Sequence, residues 1–228
     1  MLASAEYNRI TVALTGEKGN VLAEGCVDPQ KLHLIHAVSK DERLADHGRF
    51  RLIVTSSDKK AQEIARDYVF YDRQTYVFPG KDLIFYQADL RSREIQMQRI
   101  RCLRRIVEGR PLTVVTTFAA LMTPQVPIGI LRKNIIRIEK GDTFDQQALV
   151  RQLVLLGYEK NAQVDGPGQF AVRGDLLDVF DLTEENPYRI EFFDNEVETI
   201  RSFDAESQRS IEQLSMIRIY PATELILD

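Results

Sequence analysis

Residues 169–204 read QFAVRGDLLDVFDLTEENPYRIEFFDNEVETIRSFD, and apolar and polar side chains alternate along most of this stretch. A period of two is typical of β-strands that bury one face and expose the other. The polar segment at 183–187 has the length and composition of a hairpin turn. The stretch therefore predicts three successive antiparallel strands, at 169–182, 188–194 and 196–204.

A helix is predicted directly before these strands, in TFDQQALVRQLVLLGY (143–158). Thr143 and Gln146 have the spacing of a capping box, and Gly157 lies where the helix should end. One helix packed on an antiparallel sheet forms a small α+β domain, which we place at residues 128–205.

The residues upstream of this domain follow a different pattern. Apolar strand patterns at 51–57, 76–79 and 112–118 alternate with helical patterns. Strands that alternate with helices predict a parallel sheet covered by helices. We therefore predict an α/β layered domain at 1–127, with the α+β domain inserted before a strand within 206–228 that returns to the first domain.

The composition is that of a soluble globular protein, with 44% apolar and 28% charged residues. The sequence lacks both a signal peptide at its start and an apolar run of the roughly 18–20 residues that cross a membrane. Two cysteines fit a reducing compartment, so we expect a cytoplasmic protein without membrane contact. The net charge of −4 argues against strong non-specific DNA binding.

The segment 21–38 is predicted as a strand, a turn and a helix, the arrangement in which α/β proteins bind phosphate groups. Its turn has the spacing of a Walker A loop, Gly-x4-Gly-Lys-Ser/Thr, at Gly25 and Lys31. Gln30 replaces the second glycine, and Leu32 replaces the hydroxyl that would hold Mg²⁺. We therefore expect a degenerate nucleotide loop that is inactive.

Two further residues of this turn work against nucleotide binding. Asp28 is predicted as the helix N-cap and Pro29 as the first helical residue. The carboxylate puts negative charge where phosphates would lie, and the proline removes an amide donor. The chain has only three histidines, among them His33 and His36, so a catalytic or metal site built from histidines is not expected. We therefore expect a non-enzymatic chain without cofactor or metal.

Seven arginines lie between Arg91 and Arg110, interleaved with the apolar face of a predicted helix. The first interpretation is a solvated helix face, and the alternative is a surface that contacts DNA or protein. The sequence alone leaves both open.

Three segments together resemble a known family: KDLIFYQADLRSREIQMQRIRCLRRI (81–106), VVTTFAALM (114–122) and the stretch from FAVRGD to SQRS (170–210). In this order they are similar to the transcription-repair coupling factors. The last segment also resembles the excision-repair protein UvrB, in which an Arg-Gly-Asp strand, an IEFF strand and an E-x-E-x-I-R strand follow one another.

The resemblance implies a UvrB-like module: an α/β domain of degenerate P-loop type and an inserted small domain that binds the damage-recognition protein UvrA. UvrB also has a long aromatic hairpin that prises DNA strands apart, and only FPGKDLIFYQADL (78–90) occupies that region here. Full-length family members are ATP-dependent DNA translocases that also bind RNA polymerase. The resemblance implies those partners, and ATP with Mg²⁺, only for domains outside these 228 residues.

The resemblance also implies UvrA contacts at Arg173 and Arg189, a weaker one at Lys160, and a lost one at Ala171. Strand alternation independently places both arginines on the solvent face of neighbouring strands. Their replacement should therefore leave folding nearly untouched. Phe180 is either an additional aromatic anchor or a core residue.

These observations predict a non-catalytic module of a transcription-repair coupling factor that recruits UvrA and so links stalled transcription to nucleotide excision repair. The alternative is the N-terminal part of an active UvrB-type DNA-repair ATPase or helicase. A DNA-binding module that uses the Arg91–Arg110 stretch is a third, weaker interpretation, because the chain is acidic overall.

Overall fold

A computed structural model of the chain describes residues 5–16, 20–47, 50–81 and 89–226. The chain forms two compact units. The first comprises Met1–Gly80 and Gly109–Met122, and the second comprises Lys81–Glu108 and Thr123–Asp228.

The helices in chain order are α1 (Ala5–Thr15), α2 (Asp28–Lys40), α3 (Asp58–Tyr68), α4 (Asp89–Val107), α5 (Phe118–Met122), α6 (Ile128–Lys133) and α7 (Gln146–Leu155), with a 3₁₀ helix at Glu42–His47. The strands are β1 (Phe50–Thr55), β2 (Thr75–Phe78), β3 (Leu112–Thr117), β4 (Ile136–Glu139), β5 (Glu159–Lys160), β6 (Gln169–Arg173), β7 (Leu176–Val179), β8 (Tyr188–Phe193), β9 (Glu196–Phe203), β10 (Ser210–Leu214) and β11 (Met216–Ile219).

The first unit contains a three-stranded parallel sheet in the order β1–β3–β2. Helix α3 packs on it through Ala61 and Ala65, which form a buried cluster with Val115 of β3. The predicted α/β class with a parallel sheet is confirmed. The strand predicted at the start of the segment 21–38 is wrong, because residues 20–27, all of which the structure describes, contain neither helix nor strand.

The second unit contains a six-stranded sheet in the order β10–β9–β8–β7–β6–β5. Its neighbouring strands are antiparallel except for β5 and β6, which are parallel. The long strand predicted at 169–182 is in fact a hairpin, in which Gly174 and Asp175 connect β6 to β7. Gly174 has φ 59°, a left-handed conformation that glycine adopts without steric cost.

The last strand does not join the parallel sheet. β11 pairs with β4 in a separate two-stranded antiparallel sheet of the second unit, with Met216 opposite Glu139 and Ile219 opposite Ile136. The sequence predicted a return to the first sheet. An isolated strand pattern does not identify its partner, because pairing depends on residues far away along the chain.

One face of the six-stranded sheet belongs to the core. Phe170, Leu177, Ile190 and Ile200 lie on this face, and all four are fully buried. Leu149 and Leu153 of α7 are buried as well. The opposite face carries charged side chains, together with the buried Ala171 and Phe203. Within the described part of the chain, no helix is long and apolar enough to cross a membrane.

Candidate functional site

The charged face of the six-stranded sheet brings together residues from four adjacent strands. The register places Ala171 opposite Asp178, Asp178 opposite Arg189, and Arg189 opposite Arg201. Directly paired residues point to the same side of a sheet, and so do residues two apart on a strand. We call this surface the arginine face; its charged residues are Arg173, Asp178, Arg189, Glu191 and Arg201.

A buried carboxylate lies at the centre of the arginine face. The Asp178 side chain is only 1% exposed, and it accepts hydrogen bonds from two arginines. Arg173 Nη2 lies 2.5 Å from Oδ2, while Arg189 donates from Nε to Oδ1 at 2.7 Å and from Nη2 to Oδ2 at 2.8 Å. Both predicted arginines therefore lie on one face, but β7 separates their strands, which the sequence predicted to be neighbours.

Arg189 is held from several sides. Its side chain is 13% exposed, its Nη2 also donates to Gln208 Oε1 at 2.9 Å, and its guanidinium lies 4.3 Å from the centroid of the Phe203 ring. The hydrogen bond to Asp178 raises the pKa of Arg189. The predicted solvent-exposed position is therefore wrong for Arg189, because the buried Asp178 draws its guanidinium onto the sheet.

Arg173 differs from Arg189 in its exposure. The side chain of Arg173 is 42% exposed, and its hydrogen bond to a described residue is the one to Asp178. A guanidinium carries five N–H donors, so most of those of Arg173 are available to a partner. The predicted exposure of Arg173 is confirmed.

A second charged group continues the arginine face. Arg201 Nη2 contacts Glu191 Oε1, and Thr199 Oγ1 donates to Glu191 Oε2 at 2.5 Å. The face then contains three arginines and two carboxylates, a net charge of +1. A rigid sheet that presents a cationic excess suits a partner with acidic side chains.

Phe180, the residue predicted either as an anchor or as core, belongs to the core. It is buried in a cluster with Val164 and Ala171, against which the partly buried Ala205 packs. Ala171, at the position where the resemblance implied a lost contact, is equally buried. An anchor role for Phe180 is therefore wrong, since a partner could not reach the ring.

Sequence reasoning missed an exposed aromatic residue on the same face. Phe193, at the end of β8, is 74% exposed. It directly follows the buried Phe192, so alternation within β8 places it on the arginine face, although the register of β8 with β9 shifts between Glu191 and Phe192. The signal was present in the IEFF motif, whose two phenylalanines must point to opposite faces; Phe192 is the buried one. Exposed aromatic residues beside arginines are typical of interface hot spots.

Lys160 lies apart from these residues. It is exposed on the edge strand β5, where the register pairs it with Phe170. Phe170 belongs to the core face of the sheet, so Lys160 points away from the arginine face. The basic position implied by the resemblance is therefore present, but the structure does not bring it together with Arg173 and Arg189.

The degenerate nucleotide loop lies in the first unit, and its lysine is paired with a carboxylate of the same loop. Asp28 accepts hydrogen bonds from Lys60 at 2.7 Å and from Lys31 at 3.0 Å, and these bonds lower its pKa to about 2. Lys31, the lysine that would face a phosphate, is thus paired with a carboxylate. The Val27 amide, at the start of the helix, donates to Gln30 Oε1 at 3.3 Å.

The remaining loop residues have structural roles. Gly25 has φ 79° before the helix, and Leu32 is buried. The helix begins at Asp28, with Val27 as its N-cap. The predicted N-cap role of Asp28 is therefore wrong, and Pro29 occupies the second helical position rather than the first. His33 and His36 lie near the ring of Tyr71, with centroids 6.1 and 5.0 Å away.

Helix α4 does not present its arginines as one solvated row. Arg99 is buried and pairs with Glu224 at 2.5 Å. Arg104 pairs with Glu108 at 2.9 Å and with Glu184 at 2.6 Å. The solvated-face interpretation is wrong for these two arginines, because Glu224 and Glu184, which are distant in sequence, pair with them. Part of the resembling stretch at 81–106, residues 82–88, lies outside the described residues.

Comparison with known proteins matches residues 136–225 to the family described as the UvrB interaction domain. The chain is 36% identical over 177 residues to the transcription-repair-coupling factor of Bacillus subtilis (strain 168), covering 77% of this chain and 15% of that protein. Its identity to the Myxococcus xanthus transcription-repair-coupling factor is 31% over 193 residues, covering 79% of this chain and 16% of that protein. The Staphylococcus epidermidis protein of the same name (strain ATCC 12228 / FDA PCI 1200) is 28% identical over 210 residues, with coverages of 91% and 18%. The chain thus spans less than a fifth of each of these relatives.

Proposed function

Because this chain belongs to the transcription-repair-coupling factor family, and because its residues 136–225 match the UvrB interaction domain, we propose that it is a module that recruits UvrA. The proposed contact surface is the arginine face together with Phe193. Through this contact the module would link stalled transcription to nucleotide excision repair.

One observation carries the proposal: within the matched domain, Arg173 and Phe193 are exposed on the same face of a hydrogen-bonded sheet. An arginine and an aromatic ring supply most of the binding energy in many interfaces. The guanidinium can bind a carboxylate through two parallel N–H groups, a geometry that lysine does not offer. A partner with carboxylates and an apolar pocket, placed opposite these two side chains, would fit the surface.

We propose that the chain has no nucleotide-dependent activity of its own. The degenerate loop supports this proposal, because Asp28 already pairs with Lys31 and Lys60. In addition, the Val27 amide at the helix start already donates its hydrogen bond to Gln30. ATP, Mg²⁺, DNA and RNA polymerase would then be bound by other parts of a full coupling factor. The alternative of an active UvrB-type ATPase requires phosphate binding at the same loop. A cytoplasmic location is part of the proposal.

Direct titration of the chain with UvrA tests the proposal, with Arg173→Ala as the variant and Lys160→Ala as the matched control. Both residues are exposed and cationic, but they lie on opposite faces of one sheet. We expect the Arg173 variant to bind about tenfold or more weakly and the Lys160 variant to bind like the parent. Equal binding of all three proteins would place the contact elsewhere, and no binding by the parent would refute recruitment itself.

A further inference from the structure

We infer that Asp178 is a positioning residue, which holds Arg173 and Arg189 in one fixed arrangement for a carboxylate-bearing partner. The inference rests on the proposed function and goes beyond it, because Asp178 itself would not touch the partner. Its side chain is 1% exposed, so it can act only through the two arginines.

The location of Asp178 in the sheet gives it this role. β7 runs between β6 and β8, and Asp178 is the residue of β7 that lies opposite Arg189. Both of its carboxylate oxygens are used, Oδ1 by Arg189 and Oδ2 by both arginines, over distances of 2.5 to 2.8 Å. A single carboxylate therefore fixes the spacing of two guanidinium groups that come from strands on either side.

The contacts of Arg189 show how far the arrangement is fixed. Asp178 binds Nε and Nη2, Gln208 accepts a second bond from Nη2, and Phe203 lies against the guanidinium at 4.3 Å. The Nη1 group is the part of this guanidinium that these contacts leave for a partner. Without the carboxylate, Arg173 would lose its hydrogen bond to Asp178 and Arg189 would keep only its contacts with Gln208 and Phe203. Both side chains would then have to be ordered further when the partner binds.

The expected effect follows from that ordering. Immobilising two arginine side chains on binding corresponds to at most roughly a 5- to 150-fold loss of affinity. Asp178→Asn is the appropriate substitution, because the amide preserves the size of the side chain and removes the charge. The same substitution raises the positive charge of the surface, which by simple attraction would strengthen binding to an acidic partner. A positioning role of Asp178 therefore predicts weaker UvrA binding by the variant, whereas simple charge attraction predicts stronger binding.

The experiment measures UvrA affinity for the parent chain and for Asp178→Asn, beside a thermal melt and NMR spectra of the arginine Nε–Hε groups. We expect the folded variant to bind UvrA about tenfold more weakly. The Nε–Hε signal of Arg189 should move and exchange faster with water, which would show that the guanidinium has lost its fixed position.

A double variant keeps the test informative if Asp178→Asn loses stability. In Arg173→Ala/Asp178→Asn, the asparagine should cost less affinity than it does in the parent, because one of the arginines that it positions is absent. A folded Asp178→Asn protein that binds UvrA as tightly as the parent, or more tightly, would overturn the inference. If Arg173→Ala still weakens binding in that case, the proposed surface stands; if the parent does not bind UvrA, the proposed function itself fails.

Discussion

Replacing Arg189 by alanine should destabilise the second unit, although the sequence alone predicted a harmless surface change. Breaking a buried ion pair by removing one partner costs about 3–5 kcal/mol. Arg173 remains beside Asp178, but it donates one hydrogen bond where Arg189 donates two. We therefore expect a loss of roughly 2 kcal/mol in the free energy of unfolding. In the melting transition of the second unit, this corresponds to a decrease of about 4–8 °C.

Thermal melts of three proteins test this reasoning: the parent, Arg189→Ala, and Arg189→Ala/Asp178→Asn. In the double variant the buried group is neutral, so it should recover part of the lost stability. UvrA binding should stay weak in both variants, because the guanidinium is absent from each. An Arg189→Ala protein that melts like the parent would refute the view that Arg189 is needed to compensate the buried charge of Asp178. A double variant that is less stable than the single one would refute the charge argument.

Four further predictions follow from the same structure. Arg173→Ala should weaken UvrA binding by about 1–4 kcal/mol in a titration and lower stability by less than about 1 kcal/mol in a melt, since the Arg173 side chain is exposed and Asp178 keeps both hydrogen bonds from Arg189. Phe193→Ala should weaken binding by at least about 1 kcal/mol without lowering the melting temperature. Calorimetric titration with Mg·ATP should give no saturable binding tighter than about 1 mM. Any binding to duplex DNA should disappear between about 50 and 200 mM salt in an anisotropy assay, because only phosphate contacts could carry it.

The common face of Arg173 and Arg189 could be predicted from the sequence, because strand alternation is a local property with a fixed period of two. The position of Asp178 between these two arginines could not be predicted. Asp178 lies in the apolar run LLDVF, and only pairing with β6 and β8 brings two arginines to it. The hairpin turn was missed for a related reason: Gly174 and Asp175 interrupt a continuous strand pattern by only two residues.

Long-range ion pairs could not be predicted from the sequence either. Arg99 reads as one of several arginines along a helix, but its buried partner Glu224 lies 125 residues further along the chain. Which arginines of a helix are exposed to solvent therefore depends on tertiary contacts, and a helical sequence pattern does not contain them. The degenerate loop is the opposite case, since its missing glycine and hydroxyl are visible residue by residue.

Hydrogen–deuterium exchange of the chain with and without UvrA tests whether UvrA binds to the arginine face. We expect slower exchange in peptides from β6 to β8, residues 169–193, where the arginine face and Phe193 lie. Exchange in peptides from residues 20–40 around the degenerate loop should be unchanged. Protection confined to the loop, or to the first unit as a whole, with none between 169 and 193, would contradict UvrA recruitment through this face.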